Sequence, residues 1–292
     1  MTAGNKFRQA IKDNNPLMIV GAVNAYAAML AEKSQHKAIY LSGSGVAAAS
    51  YGIPDLGMTS LEDVLIDAKR ITNASSLPLL VDIDTGWDDT STVTLTIKEM
   101  IKADVAAVHI EDQVSQKRCG HRPNKSLVTS AEMVDRIKEA VDARDDESFF
   151  IMARTDALAS EGMDAVIERA SLYLEAGADG IFLEAVTDLN DYKTFKEKLN
   201  TLLLANITEF GKTPLFSKDE LASAGVDMSL YPLSAFRAMS LASEKVYESL
   251  LKEGTQRNVL DIMQTREELY ERLNYHEFEQ KLDKLFSDEG EK

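Results

Sequence analysis

Short apolar runs alternate with amphipathic segments along almost the whole chain. The runs have the length of buried strands, and the segments between them repeat apolar residues at helical spacing. Parallel neighbouring strands need a long connection, so strands separated by helices predict a parallel sheet. Eight runs are predicted as strands: residues 17–23, 38–42, 78–83, 106–111, 149–154, 180–185, 202–207 and 228–231.

Residues with capping preferences predict where several of the helices begin and end. Ser60 is the predicted N-cap of the helix that follows it, and Ser130 is the predicted N-cap of a later one. Gly177 follows a third amphipathic segment, where a glycine commonly ends a helix.

Eight strand–helix units within about 250 residues predict a closed (β/α)8 barrel of the TIM type. The alternative is an open doubly wound sheet, which is disfavoured because no G-x-G-x-x-G pattern follows the first strand. The segment from about residue 234 is almost wholly helical in pattern and exceeds what one barrel unit needs. We therefore predict a single barrel domain over residues 1–292 that ends in a C-terminal helical extension.

The composition and charge of the chain exclude several classes of function. Its 292 residues are 45% hydrophobic and carry a net charge of −16, which disfavours a nucleic-acid surface or a basic membrane patch. The single cysteine rules out an internal disulfide and indicates a reducing compartment. The N-terminus lacks an apolar signal core and no run is long enough to span a bilayer, so a cytoplasmic location is expected.

Polar residues cluster at the carboxyl ends of six consecutive predicted strands. One such residue means little, because strands usually end in solvated turns. In a barrel, however, all of these ends lie on one face, where catalytic residues of TIM barrels are found. We therefore predict a shared active site formed by Ser42, Gly43, Ser44, Asp82, Asp84, His109, Glu111, Asp112, Arg154, Asp156, Glu184, Asn206 and Thr208.

Asp82 and Asp84 are the candidate metal ligands. Two residues apart on a strand, they would point to the same side and repel each other unless a cation lay between them. With Glu111 on the next strand they offer only oxygen ligands, which favours Mg²⁺, with Mn²⁺ as the alternative. An isolated D-x-D pattern is more often a solvated turn. A zinc site is disfavoured because four histidines and one cysteine are too scattered.

The only cysteine, Cys119, lies in a predicted loop rich in basic residues. Neighbouring cations lower the pKa of a thiol, which can then donate a proton or act as a nucleophile near neutral pH. A lone cysteine is usually an inert buried residue, but this polar surrounding argues against that interpretation. We count Lys117 and His121 with Cys119 as candidate catalytic residues. The basic neighbours are Lys117, Arg118, His121 and Arg122.

The motif KRCGHR, following VHIEDQ, resembles the isocitrate lyase and 2-methylisocitrate lyase family within the phosphoenolpyruvate mutase superfamily. The cysteine motif is specific for the lyases, because mutase and hydrolase relatives lack that cysteine. The chain is also shorter than the isocitrate lyases, which carry inserted helical segments. The resemblance extends over nearly the whole chain, through YLSGSG, YGIPDLG, VDIDTGWD, ARTDA, FLEA, NITEFGKTP, YPLSAFRAM and MQTREELYE.

This resemblance implies a Mg²⁺-dependent cleavage of 2-methylisocitrate to pyruvate and succinate, in the methylcitrate route of propionate breakdown. It assigns Mg²⁺ to Asp82 and Asp84, with Asp55 and Glu111 in support. It implies a homotetramer in which the last barrel helix is exchanged between subunits. The family usually has a glycine where this chain has Ser44. The implied substrate contacts are Ser42, Gly43, Ser44, Cys119, Gly120, Arg154, Glu184, Asn206, Ile207, Thr208, Arg237 and Arg266.

The chemistry of the residues fits cleavage of a small tricarboxylate. Breaking the carbon–carbon bond leaves a carbanion-like succinate fragment that needs a proton, and Cys119 is the predicted donor. Tyr40 is the predicted base for the substrate hydroxyl. Three alternatives remain: isocitrate cleavage to glyoxylate and succinate, a related oxaloacetate decarboxylase or hydrolase, and a dicarboxylate-binding protein without catalysis. The intact set of site residues argues against the last.

Overall fold

The chain folds around a closed barrel of eight parallel strands, in the order β1 to β8. The structure is a computed structural model that describes residues 1–87, 90–115, 120 and 125–289. The predicted barrel is therefore confirmed, with strand bounds within two residues of the predicted ones. The strands are β1 Leu17–Gly21, β2 Ala38–Leu41, β3 Leu79–Asp82, β4 Ala107–Glu111, β5 Phe150–Thr155, β6 Gly180–Leu183, β7 Leu202–Asn206 and β8 Met228–Tyr231.

Helices connect the strands, one helix precedes the first strand, and others follow the last strand. A π-helical turn, Ala47–Tyr51, follows α3, and a 3₁₀ helix, Arg257–Ile262, follows α11. The α-helices are α1 Ala3–Asp13, α2 Ala25–Lys33, α3 Gly43–Val46, α4 Leu61–Ala74, α5 Thr90–Lys102, α6 Ser130–Ala143, α7 Leu158–Glu161, α8 Met163–Glu175, α9 Leu189–Lys198, α10 Lys218–Ser223, α11 Ser234–Glu253, α12 Arg266–Arg272 and α13 Tyr275–Glu289.

The capping predictions were right at Ser60 and wrong at Ser130. The Ser60 hydroxyl accepts a hydrogen bond from the backbone N–H of Asp63, and the Asp63 carboxylate accepts one from the backbone N–H of Ser60, so a capping box begins α4. The N-cap of α6 is Thr129, which accepts from the backbone of Glu132, and Ser130 is already the first helical residue. Both hydroxyl residues suit the position, so the sequence alone did not separate them.

Buried side chains form two groups, in agreement with the alternation of side chains along a strand. One group fills the barrel, where Ile19, Tyr40 and Met152 meet Phe7 of α1. The other lies between the strands and the surrounding helices. Strands β2 to β6 are buried on both faces, which explains why they appear as continuous apolar runs in the sequence.

The chain divides into two compact units, residues 1–236 and 237–292. The first contains the barrel. The second contains most of α11, the 3₁₀ helix, α12 and α13. Among the described residues, no helix combines the length and the apolar character needed to cross a membrane.

Candidate active site

Asp82 and Asp84 lie at the carboxyl end of β3 with both carboxylates close to Gly43. The strand ends at Asp82, and Asp84 follows in a turn with a φ of +50°, so the expectation that both lie on one strand was wrong. Their oxygens still converge. Oδ1 of Asp84 and Oδ2 of Asp82 lie 3.1 and 3.2 Å from the point that a Cβ of Gly43 would occupy. A side chain at position 43 would therefore press against the oxygens of both carboxylates.

Hydrogen bonds hold the carboxylate of Asp82 in place. The backbone N–H of Gly43, at the start of α3, donates to Oδ2 at 3.2 Å, and that of Asp84 donates to Oδ1 at 3.0 Å. Ser42 is buried immediately before Gly43, and Ser44 is half-buried. Asp55 is half-buried in the loop between the π-helical turn and α4.

Tyr40 and His109 form a buried pair beside Asp82. The Tyr40 hydroxyl and Nε2 of His109 are 2.8 Å apart, and the same nitrogen is 3.6 Å from Oδ1 of Asp82. Burial, followed by the charge of Asp82, raises the pKa of Tyr40 well above its usual value, although Arg154 opposes this. The hydroxyl therefore keeps its proton at neutral pH, and it can act as a base only once positive charge is added nearby.

Arg154 is the central cation of the site. Its guanidinium lies 3.1 Å from Glu111, 2.9 Å from Asp156 and 3.7 Å from Glu184, and it stacks over the ring of Phe182 at 5.1 Å. Burial alone would lower the pKa of Arg154, but the three carboxylates raise it well above its usual value. Arg154 is thus a fixed, fully charged donor at the carboxyl end of β5.

Glu184 lies between Arg154 and Asn206 at the ends of β6 and β7. The Asn206 side-chain amide donates to both Glu184 oxygens, at 3.3 and 3.4 Å. Gly120 lies against the same pair, since a Cβ there would be 2.5 Å from Nη2 of Arg154 and 2.6 Å from Glu184. Ile207 and Thr208, which follow β7, are also buried.

A second layer of charged residues, Asp156, Lys125 and Asp112, supports Arg154, and of these only Lys125 was not predicted from the sequence. Asp156 accepts two hydrogen bonds from Arg154 and one from Lys125 at 2.6 Å. Asp112 accepts from the backbone of Asp156 at 2.9 Å and from Tyr173 at 3.0 Å. Burial raises the pKa of Asp112. Position at strand ends marked Asp112 and Asp156, but nothing in the sequence marked Lys125 as their partner.

Not all predicted site residues can be placed in this arrangement. Lys117, Cys119 and His121 lie outside the described residues. Arg237 and Arg266 belong to the second unit, in α11 and at the start of α12. Their roles at the site stay sequence-based predictions.

The described residues suit a hard divalent cation. Five carboxylates, those of Asp82, Asp84, Glu111, Asp156 and Glu184, meet here with the cations Arg154 and Lys125. This excess of negative charge would repel a polyanionic ligand unless a cation were added. Across the described part of the chain, no three His, Cys, Asp or Glu side chains form a ready-made metal cluster. Mg²⁺ needs none, because it commonly binds through one or two carboxylates and several waters.

Comparison with known proteins agrees with this geometry. The family model described as phosphoenolpyruvate phosphomutase matches residues 7–251, which include the whole barrel. This chain belongs to that family. Within it, a 2-methylisocitrate lyase of Shewanella oneidensis is 63% identical over 286 residues, which are 98% of each chain. The resemblance read from the motifs is therefore confirmed.

Solved structures extend the comparison. A 2,3-dimethylmalate lyase superposes with a TM-score of 0.88 at 32% identity, over 96% of this chain and 94% of its own. A phosphonopyruvate hydrolase in complex with oxalate and Mg²⁺ has a TM-score of 0.84 at 26% identity, over 96% and 97% of the chains. The solved structures that this chain resembles thus include a lyase and a hydrolase in complex with magnesium.

Proposed function

We propose that this protein is a Mg²⁺-dependent lyase that cleaves 2-methylisocitrate to pyruvate and succinate, as a step of propionate breakdown in the cytoplasm. The observation that carries the proposal is the identity of 63% over almost the whole chain to a 2-methylisocitrate lyase. The convergence of Asp82, Asp84 and Arg154 at one barrel end supports it.

In this proposal Asp82 and Asp84 hold the metal through oxygens that already converge beside Gly43. Asp55 and Glu111 would support it and its waters. Bound there, Mg²⁺ would supply electrostatic stabilisation to negative charge on the substrate oxygens. Glu111 also accepts a salt bridge from Arg154, so one carboxylate would link the metal side of the site to the anion-binding side.

Substrate carboxylates would be bound by fixed donors at neighbouring strand ends. Arg154 offers a forked cation, and Asn206 and Thr208 offer neutral donors from the end of β7 and the loop after it. The pyruvate-forming end would lie at Ser42, Gly43 and Ser44, where α3 begins. Ile207, Glu184, Gly120, Arg237 and Arg266 complete the proposed contacts.

The reaction needs one proton removed and one proton added. Loss of the substrate hydroxyl proton allows the oxygen to form the carbonyl of pyruvate as the carbon–carbon bond breaks. The bonding electrons remain on the succinate fragment, which then takes a proton at carbon. Cys119 is the proposed donor of that proton, within a basic segment that contains Lys117 and His121. Tyr40 is the proposed base, oriented by His109.

A product assay tests the proposal. Purified protein with Mg²⁺ and 2-methylisocitrate should yield pyruvate and succinate in equal amounts, and removal of the metal with EDTA should stop the reaction. Isocitrate serves as the comparison substrate, because a missing methyl group in an apolar pocket is worth only about 1–3 kcal/mol. Pyruvate from oxaloacetate without succinate would indicate a decarboxylase, and oxalate and acetate from oxaloacetate would indicate a hydrolase. Binding without turnover would indicate a binding protein.

We also propose a homotetramer with exchanged helices. The second unit exposes large apolar side chains, among them Tyr247 at 71%, Leu251 at 86% and Phe278 at 62%. Such side chains are commonly covered in an assembly. Light scattering coupled to size-exclusion chromatography should give four times the chain mass of 32.2 kDa. A monomer mass at micromolar concentration would contradict the proposed assembly without affecting the proposed reaction.

A further inference from the structure

Lys125 links Gly120, in the segment between β4 and α6, to Asp156, which follows β5. Its ammonium donates to the backbone carbonyl of Gly120 at 2.8 Å and to Oδ1 of Asp156 at 2.6 Å. The Lys125 side chain is only 7% exposed and that of Asp156 is fully buried. A buried ammonium needs acceptors for its protons, so both contacts constrain it strongly.

The position of Gly120 makes this contact relevant to function. Gly120 lies so close to Arg154 and Glu184 that even a methyl group at its Cα would collide with both side chains. Asp156, the other partner of Lys125, in turn holds Arg154 through two hydrogen bonds. Lys125 therefore fixes Gly120 relative to the guanidinium against which Gly120 packs.

We infer that Lys125 is a positioning residue, which ties Gly120 to Asp156 and so sets the distance between Gly120 and Arg154 in the reacting site. The expected effect of Lys125 on turnover rests on the proposed function. Its expected effect on the position of Gly120 rests on the contacts alone. Lys125 itself need not touch the substrate. It acts through the backbone of Gly120, which the proposed function counts among the substrate contacts.

The geometry also indicates which variant should still fold. Without Lys125, Asp156 keeps both hydrogen bonds from Arg154 and its own backbone bond to Asp112. The carboxylate is thus not left unpaired, whereas the carbonyl of Gly120 loses this donor. Lys125→Met replaces the ammonium with an apolar group of similar length. Lys125→Arg keeps the charge and the capacity to donate to two acceptors.

The test compares Lys125→Met and Lys125→Arg with Lys98→Met, an exposed position on α5 that serves as the matched control. Hydrogen exchange of the peptide that contains Gly120 should become at least fivefold faster in Lys125→Met and stay at the wild-type rate in Lys98→Met. With 2-methylisocitrate, kcat/KM of Lys125→Met should fall at least thirtyfold. The loss should lie more in kcat than in KM, since orientation rather than a substrate contact is removed.

The kcat/KM of Lys125→Arg should be at least tenfold higher than that of Lys125→Met. The Mg²⁺ affinity measured by calorimetry should stay within twofold of wild type in every variant. Unchanged exchange around Gly120, or kcat/KM of Lys125→Met within threefold of wild type, would overturn the inference. If the wild-type protein lacked lyase activity, the proposed function would fail, while the exchange rates would still decide whether Lys125 ties Gly120.

Discussion

The two ends of the barrel differ in how their carboxylates are paired with cations. At the amino ends of β5 and β6, Asp179 accepts hydrogen bonds from Arg8 and Arg144, each at 2.8 Å, and from the backbone of Ile151. Phe7 of α1 covers this end and packs against Phe150. At the carboxyl ends, carboxylates outnumber the described cations that contact them.

This difference separates the structural role of one end from the functional role of the other. The carboxylate of Asp179 is already paired with Arg8 and Arg144 within the chain, so it needs no added cation. The carboxylates of Asp82 and Asp84 lie side by side at an energetic cost that a bound cation would relieve. Substitutions at the carboxyl end should therefore change turnover, and substitutions at the amino end should change stability. Substitutions at both ends of the barrel test this separation.

The largest effect is expected for Asp82→Ala. The variant loses a carboxylate that is proposed to bind Mg²⁺ directly, so turnover should fall by about a thousandfold or more. Calorimetric titration with Mg²⁺ should show a matching loss of affinity. The melting temperature should stay close to that of wild type or rise, because one of two adjacent negative charges is removed. Unchanged Mg²⁺ affinity would show that the metal assignment is wrong.

Cys119→Ser should reduce kcat by about a hundredfold, the low end of the contribution of general acid catalysis. A hydroxyl is a much weaker acid than a thiol, so the proton transfer to carbon slows while substrate and metal still bind. Stopped-flow and steady-state kinetics would measure the loss, and calorimetry with Mg²⁺ would serve as the control. Turnover near the wild-type value would remove Cys119 from the role of proton donor.

Gly43→Ala should weaken Mg²⁺ binding about tenfold, or roughly 1.4 kcal/mol. The added methyl would lie 3.1 and 3.2 Å from oxygens of Asp84 and Asp82, and they would have to move apart. Gly45→Ala is the matched control, because its methyl would meet Val23 and Leu233 instead. The control should lose stability and keep its Mg²⁺ affinity. Equal affinities in the two variants would contradict the proposed place of the metal.

Much of this carboxyl end could be predicted from the sequence. Apolar runs predicted every strand, because strands buried on both faces leave a continuous signal. Strand ends then placed Asp82, Glu111, Arg154 and Glu184 on one face. Both the strands and the face on which these residues lie can be predicted without knowledge of the side-chain contacts. The motifs around Cys119 carried the resemblance to the family.

The contacts themselves could not be predicted. The turn that places Asp84 outside β3 depends on a left-handed backbone, for which a non-glycine residue gives little sign. Lys125 lies in a loop, and only the fold brings it to Asp156, 31 residues away. His109 was recognised as a strand-end residue, but its pairing with Tyr40 depends on two strands that do not neighbour each other. Long-range pairs of this kind leave no local pattern.

The smallest effect on turnover is expected at the amino end, for Asp179→Ala. The change removes a carboxylate shared by Arg8 and Arg144, whose side chains are 29% and 17% exposed, so water can replace part of the lost interaction. Unfolding should become easier by about 1–3 kcal/mol, which lowers the melting temperature by roughly 2–10 °C. Below the new transition, kcat and KM should stay within twofold of wild type. Differential scanning calorimetry and steady-state kinetics on one preparation would measure both. A drop in kcat with no loss of stability would mean that charge at the amino end affects the reacting groups. The separation between a structural and a functional end would then be wrong.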